Sequence, residues 1–145
     1  MSSDKPTGPQ QPENTQDEDA IAFAQGIFDL ARNGGTSMLS PLLEAGVPVD
    51  MRTSEGDTLL MLATRNGHVD TVRLLLVKGA DPDRPDNHQR TPLMEAAVAN
   101  QSDTVDLLLA CGADPTLKDA NGHTAMELAR SHHADDVIQA LSPRA

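Results

Sequence analysis

Residues 58–63 read Thr-Leu-Leu-Met-Leu-Ala, and the same pattern returns as Thr-Pro-Leu-Met-Glu-Ala at 91–96 and as Thr-Ala-Met-Glu-Leu-Ala at 124–129. Each step is 33 residues (91 − 58 and 124 − 91). Self-similarity at a fixed period of this length predicts a stack of like units, in which each unit buries its neighbour's apolar face. It argues against one globular core built around a central active site.

The composition excludes several classes of protein. The formal net charge of −11 would repel a phosphate backbone, so we expect no nucleic-acid partner. A lone cysteine, Cys111, cannot form an internal disulfide, which is typical of a reducing compartment. The polar N-terminus shows no signal segment, and no apolar run reaches membrane-spanning length. We therefore expect a cytoplasmic protein with no membrane partner.

The period divides the chain into a tail and four units. Three prolines and several acids among the first 18 residues predict a disordered tail at 1–18. The repeat domain is predicted at 19–142. Its units are a first cap repeat at 20–52, two full repeats at 53–85 and 86–118, and a C-terminal cap repeat at 119–142.

The first unit is the least regular. A helix is predicted from Asp19, with an apolar stripe that contains Phe23 and Ile27. Phe28 falls off that stripe and is expected to cover the end of the stack. A second helix is predicted around 36–45, where Pro41 would break a hydrogen bond, so this helix is expected to start late at Ser40 or to kink.

The later units carry clear helix boundaries. Thr58 is a predicted N-cap, and Pro92 occupies the first helical position, which proline favours. Gly67 is predicted to end the helix in a left-handed conformation. Asn100 replaces that glycine one period later, and asparagine is the next most tolerant residue.

The repeated motifs resemble those of ankyrin-repeat proteins. They include Asn-Gly-His-Val-Asp at 66–70, Val-Arg-Leu-Leu-Leu at 72–76 and Gly-Ala-Asp at 79–81, and the resemblance covers roughly residues 20–142. It implies an all-α solenoid of helix-turn-helix units with hairpin-like connecting loops. Arginine outnumbers lysine by eight to three, which is typical of a GC-rich bacterial genome.

One motif position departs from the family. A histidine usually follows Thr-Pro-Leu and ties neighbouring turns together, but Met61 and Met94 stand there. We expect those hydrogen bonds to be missing and methionine to fill the gap by packing.

The resemblance implies that the chain binds another protein through a concave surface made of turn tips and first helices. By motif position, the predicted partner-binding residues are Glu55, Asp57, Leu62, Arg65, Asn66, His88, Arg90, Glu95, Val98, Ala99, Asn121 and His123.

Several of these residues have a plainer alternative interpretation. Val98 and Ala99 could form an apolar contact spot with Leu62, although scattered apolar surface residues are normal. Glu95 could pair with a basic partner, or with Arg90 or Arg65 inside the stack, and the internal pairing is favoured. His132 and His133 are adjacent, so they diverge by roughly 100 degrees on a helix and predict no metal site.

The function predicted from these features is protein–protein recognition by a small adaptor or inhibitor, which is a monomer when free. The alternative is a constitutive structural or assembly subunit of an enzyme complex. No nucleophile motif, phosphate loop or acid–base pair is present, so we expect neither catalysis nor a cofactor. Since aromatic anchors are few, binding should be modest in affinity or dependent on charge.

Overall fold

The computed structural model describes residues 10–142 as eight α-helices joined by turns, with one isolated antiparallel bridge between Arg52 and Thr58. The predicted all-α repeat fold is confirmed. The helices are α1 (Gln10–Asn33), α2 (Thr36–Glu44), α3 (Leu59–Arg65), α4 (Val69–Val77), α5 (Pro92–Val98), α6 (Ser102–Ala110), α7 (Ala125–Ser131) and α8 (Asp135–Leu141).

The helices form two layers. The inner layer places α1, α3, α5 and α7 side by side, and the outer layer places α2, α4, α6 and α8 behind them. Aliphatic side chains from both layers make one continuous core, because each helix pair covers the next. The largest fully buried apolar side chains are Leu39, Leu59, Leu60, Met61, Val72, Leu75, Leu93, Met94, Val105, Leu108 and Val137.

Threonine hydroxyls start the three regular inner helices. The Oγ1 atom of Thr58 accepts a hydrogen bond from the N–H of Met61 at 3.1 Å, and Thr91 and Thr124 repeat this contact at 3.3 Å. Both Met61 and Met94 are fully buried, which confirms that methionine packs at this position. The sulfur of Met94 also accepts from the N–H of Thr91 at 3.5 Å, which is a bond within the same helix start.

The first helix differs from its prediction in start and in orientation. It begins at Gln10 rather than at Asp19, and Pro12 lies in its first turn, where its missing N–H needs no partner. The part of the predicted tail at 1–9 lies outside the described residues. Phe23 is 57% exposed and Phe28 is 7% exposed, so the prediction had exchanged the two rings. The buried face contains Ile27, Phe28 and Ala31, because α1 packs against α2 and α3.

The second helix begins at Thr36, so the late start at Ser40 was wrong. Pro41 lies inside this helix and cannot donate to the carbonyl of Ser37. Ser37 is exposed, so water can take the place of the lost donor. Packing of Leu39 and Leu43 against the core offsets the defect.

The turns between inner and outer helices need a left-handed residue. Gly67 has a φ of 76° and Asn100 has a φ of 56°, as predicted. The asparagine gains a contact that glycine could not make, because its Oδ1 accepts from the N–H of Val137 at 3.3 Å. This bond joins the last two repeats.

Candidate functional site

Three tight turns project beside the inner helices, and we call them the first tip (residues 52–57), the second tip (85–90) and the third tip (118–123). An aspartate organises the second tip: the Oδ1 atom of Asp86 accepts from the N–H groups of His88 and Arg90 at 2.8 and 3.0 Å. Asp119 does the same in the third tip for Asn121 and His123, both at 2.9 Å. Such aspartate-headed turns fix the backbone locally.

Neighbouring tips are joined through their backbones. The N–H of Asn87 donates to the carbonyl of Glu55 at 3.3 Å, and the N–H of Ala120 donates to the carbonyl of His88 at 3.1 Å. The Nδ2 atom of Asn87 adds a bond to the carbonyl of Ser54 at 3.2 Å. These hydrogen bonds form a ladder along the tips, so the row of tips behaves as one surface.

Arg65 organises the charges below the tips. Its Nη1 and Nη2 atoms donate to the two carboxylate oxygens of Asp57 at 3.2 and 3.0 Å, and Nη2 also donates to Oε2 of Glu95 at 3.2 Å. The hydrogen bonds that Arg65 donates to the Asp57 carboxylate are the largest cause of the raised pKa of Arg65, and they outweigh burial, which acts to lower it. Arg65 therefore stays charged and is held in one orientation.

Glu95 also lies near Arg90, whose Nη1 atom is 3.8 Å from its Oε2 atom. The internal pairing of Glu95 is thus confirmed for both arginines. Only a tenth of the Glu95 side chain is exposed, so its carboxylate is held between the two arginines rather than open to solvent.

An open cleft of about 570 Å³ lies between these charges and the last two tips, and we call it the central cleft. Buried carboxylates from Asp86, Glu95 and Asp119 border it together with Arg65 and Arg90. The pKa of Asp119 is lowered, first by the N–H of His123 and further by the N–H of Asn121. Its lining residues are Arg65, Asp86, His88, Arg90, Glu95, Asp119, Ala120 and Asn121.

The structure brings together five of the twelve residues predicted from the sequence. Residues that line the central cleft are Arg65, His88, Arg90, Glu95 and Asn121. Asp57 lies behind Arg65 as its partner, and His123 is exposed with its Nδ1 atom 3.9 Å from Asp119.

The other predicted residues do not line this cleft. Leu62 is 2% exposed, so its predicted place in a surface contact spot was wrong, since the side chain packs into the core. Asn66 caps its own helix by donating to the carbonyl of Leu62 at 2.8 Å. Val98 is half-buried against the core and Ala99 is exposed.

Asp86 and Asp119 were missed by the sequence reasoning. The two aspartates are one period apart (119 − 86 = 33). Thr53 occupies the equivalent place in the first tip, where its hydroxyl accepts from the N–H of Asp57 at 3.1 Å. An aspartate at the start of a predicted turn was the signal, because its side chain mimics a backbone acceptor.

Glu55 lines a different opening, a cleft of about 550 Å³ between α1 and the first tip, which we call the N-terminal cleft. One wall is the apolar face of α1, with Ile21, Ala24 and Phe28, and the other is the polar first tip. Around both clefts, and among the side chains described at 18–142, no cluster of His, Cys, Asp or Glu suited to a metal ion is found. None of the helices described is long and apolar enough to cross a bilayer.

Comparison with known proteins identifies what the chain is similar to. A family model described as ankyrin repeats (3 copies) matches residues 27–119, which is more than half of the chain. A curated protein of Pseudomonas aeruginosa, whose provisional name is ankyrin repeat protein, is 44% identical over 48 residues. This match covers 33% of the chain and 28% of the relative, so the chain spans little more than a quarter of that relative's length.

Proposed function

This chain belongs to the ankyrin-repeat family, whose members are generally protein–protein interaction modules, and we propose that it is a small adaptor or inhibitor that binds a partner protein through its concave face. The role is recognition rather than catalysis, with the free chain a monomer. The central cleft is the centre of the proposed binding surface, flanked by the second and third tips.

The observation that carries this proposal is the preorganised charge of the central cleft. The side chain of Arg65 is 38% exposed, yet it is fixed by three hydrogen bonds to Asp57 and Glu95. A partner therefore meets a charge whose position is set before binding, which lowers the entropy cost of association. His88 and Asn121 are exposed on the bordering tips and are free to adjust to a partner surface.

The charge balance indicates the sign of the partner. Asp57, Asp86, Glu95 and Asp119 carry four negative charges around Arg65 and Arg90, and the whole chain carries −11. A partner with a basic surface would be steered toward this face by long-range attraction. Because such attraction is screened by salt, raising the ionic strength should weaken binding.

Affinity capture from the native cell, followed by mass spectrometry, tests the proposal. The variant His88→Lys with Asn121→Lys adds two positive charges at exposed positions of the central cleft, whereas changes at Arg65, Arg90 or Glu95 would confound binding with folding. Asp103→Asn with Asp106→Asn is the matched control, because it raises the net charge by the same amount at exposed positions of the outer helix α6. We expect the double variant to lose a basic partner that the control retains.

A salt wash of the same captured material separates a regulator from a constitutive subunit. A regulator held by charge should elute as the salt concentration rises, since surface charge pairs are screened within about 10 Å at 0.1 M.

Capture that is equal for the parent chain and the double variant would contradict the proposed surface.

A further inference from the structure

The ladder of hydrogen bonds along the tips has an open end. Its two bonds run from Asn87 to Glu55 and from Ala120 to His88, and both donors and acceptors are 33 residues apart (120 − 87 and 88 − 55). One further step toward the N-terminus would join the N–H of Ser54 to the carbonyl of Ala22. In a regular repeat, a preceding tip would supply that carbonyl.

The chain supplies a helix there instead. Ala22 lies inside α1, where its carbonyl accepts the helical hydrogen bond from Gly26. Ser54 is exposed, and its N–H group has no acceptor among residues 18–142. The first tip therefore ends the ladder with a backbone donor that the described residues leave unpaired, as an edge strand does.

The N-terminal cleft lies beside this donor. Ser54 and Glu55 are on one of its walls, and Ile21, Ala24 and Phe28 are on the other. Since α1 begins 16 residues before the position equivalent to the start of α3 (26 − 10), its extension provides the apolar wall. Ile21 is 57% exposed, which leaves apolar surface open to solvent in the cleft.

The charges of the cleft nearly cancel. Asp29 and Arg32 pair with each other at 2.6 Å, and Arg52 and Glu55 carry opposite charges on the tip wall. An occupant is thus selected by its backbone and its apolar side chains rather than by net charge.

We propose that the N-terminal cleft binds an extended segment of another protein, which continues the ladder of the tips. A backbone carbonyl of the segment accepts from the N–H of Ser54, and one of its apolar side chains packs against Ile21 and Ala24. This is recognition by strand addition, in which backbone bonds give affinity and a side-chain pocket gives preference. A helical segment does not fit this role, because its carbonyls are already bonded within the helix.

The inference does not rest on the role of the central cleft, and its test is separate. The probe is a pool of short acetylated and amidated peptides with leucine or phenylalanine at one central position and mixed residues elsewhere. A matched pool has aspartate at that position. Each pool is added to the isotopically labelled full chain at a total of about 1 mM, which detects even weak association.

Amide exchange and chemical shifts report where the peptides bind. With the apolar pool, we expect the Ser54 amide to exchange more slowly and the signals of Ile21 and Ala24 to shift. The amides of Asn87 and Ala120 are already bonded, so their exchange should not change. The aspartate pool should bind more weakly, since a charged side chain would meet the apolar wall.

A pair of variants makes the test specific. Ile21 and Phe23 are equally exposed at 57%, but only Ile21 lines the cleft. Ile21→Ser should weaken binding of the apolar pool about tenfold, whereas Phe23→Ser should leave it unchanged. Circular dichroism checks that both variants keep the helix content of the parent chain.

Four outcomes would overturn the inference. The apolar pool could fail to slow exchange at Ser54, both variants could have equal effects, or the shifts could be confined to the central cleft. The fourth outcome is seen without any peptide. If exchange at the Ser54 amide slows as the protein concentration rises, and the particle mass doubles, then a second copy of the chain occupies the cleft and the peptide segment is rejected.

Discussion

The central cleft and the N-terminal cleft have similar volumes, about 570 and 550 Å³. Each of them is lined by at least one of the three repeated tips. Their chemistry differs because their neighbours differ. The central cleft is enclosed by two tips and by charges that pair with one another. The N-terminal cleft is enclosed by one tip and a helix, which leaves a backbone donor and an apolar wall unpartnered within the described residues. In a stacked protein, the identity of a site thus depends on position in the stack as much as on the motif.

The largest expected effect concerns the contact between the first two tips. A methyl group at Gly56 would lie 2.8 Å from the backbone nitrogen of Asn87, and the φ of Gly56 is 87°. Gly56→Ala should therefore lower the free energy of unfolding by about 3 kcal/mol, from backbone strain plus steric overlap. Denaturant titration measures the change.

Gly122→Ala is the matched control. Gly122 occupies the same place in the third tip, with a φ of 83°, but a methyl group there meets open space. It should cost about 1 kcal/mol, from strain alone. Equal losses for the two variants would show that contact between tips does not stabilise the ladder.

The second prediction compares the arginines of the two clefts, which are one period apart (65 − 32 = 33). Arg65→Met leaves the mostly buried carboxylates of Asp57 and Glu95 without their shared partner. We expect a loss of about 2 kcal/mol, below the value for a fully buried pair because Arg65 is partly exposed.

Arg32→Met removes an exposed pair with Asp29 and should cost less than about 0.5 kcal/mol. The free energy of unfolding in denaturant measures both variants. A difference near zero would mean that the network around Arg65 is no stronger than a surface ion pair.

A third, smaller effect is expected at the tip that lacks glycine. Gln89 has a φ of 64° and stands where the other two tips have Gly56 and Gly122. Gln89→Gly relieves left-handed strain but adds freedom to the unfolded chain, so we expect a gain of about 0.5 kcal/mol. Thermal unfolding measures this gain, and a destabilised variant would show that the glutamine side chain makes a contact worth more than the strain.

The smallest effect is a dependence on pH in the central cleft. The pKa of Asp119 is lowered, first by the hydrogen bond from the N–H of His123. Its charged form therefore stabilises the fold above the ordinary aspartate pKa, and this contribution is lost as the pH falls through the lowered value. Between pH 6 and pH 2, the free energy of unfolding should fall less for Asp119→Asn than for the parent chain. Denaturant titrations at a series of pH values measure this difference.

Asp106→Asn is the control for that titration, because Asp106 is exposed on α6 and away from the tips. It should follow the acid dependence of the parent chain. An identical response from the Asp119 and Asp106 variants would contradict a stabilising role for the Asp119 carboxylate in the turn.

The fixed period allowed much of the fold to be predicted. The threonine caps, the left-handed turns and the paired layers all follow from matching residues in register. The orientation of α1 did not follow, because an end helix has a neighbour on one side only, so its apolar residues exceed the number that packing can bury. Which of Phe23 and Phe28 is buried depends on the rotation of α1 about its own axis, and the sequence pattern alone does not determine that rotation.

The candidate site was predicted in part. The position of Arg65 on α3, beside the tips, followed from the motif. Its contact with Glu95 was one of the internal pairings that the sequence favoured over a basic partner. Asp86 and Asp119 were missed because their side chains accept hydrogen bonds from backbone N–H groups of their own turns. The motif positions used to choose partner-binding residues do not include such turn-forming residues. Leu62 was misplaced because the same repeat position holds a charged residue, Glu95, one period later (95 − 62 = 33).

Site-specific photo-crosslinking in the native cell tests the central claim most directly. A benzophenone amino acid placed at His88, on the second tip, should form an adduct with a partner protein, while the same group at Arg73, on the outer helix α4, should not. Adducts from position 73 with none from position 88 would contradict binding through the concave face.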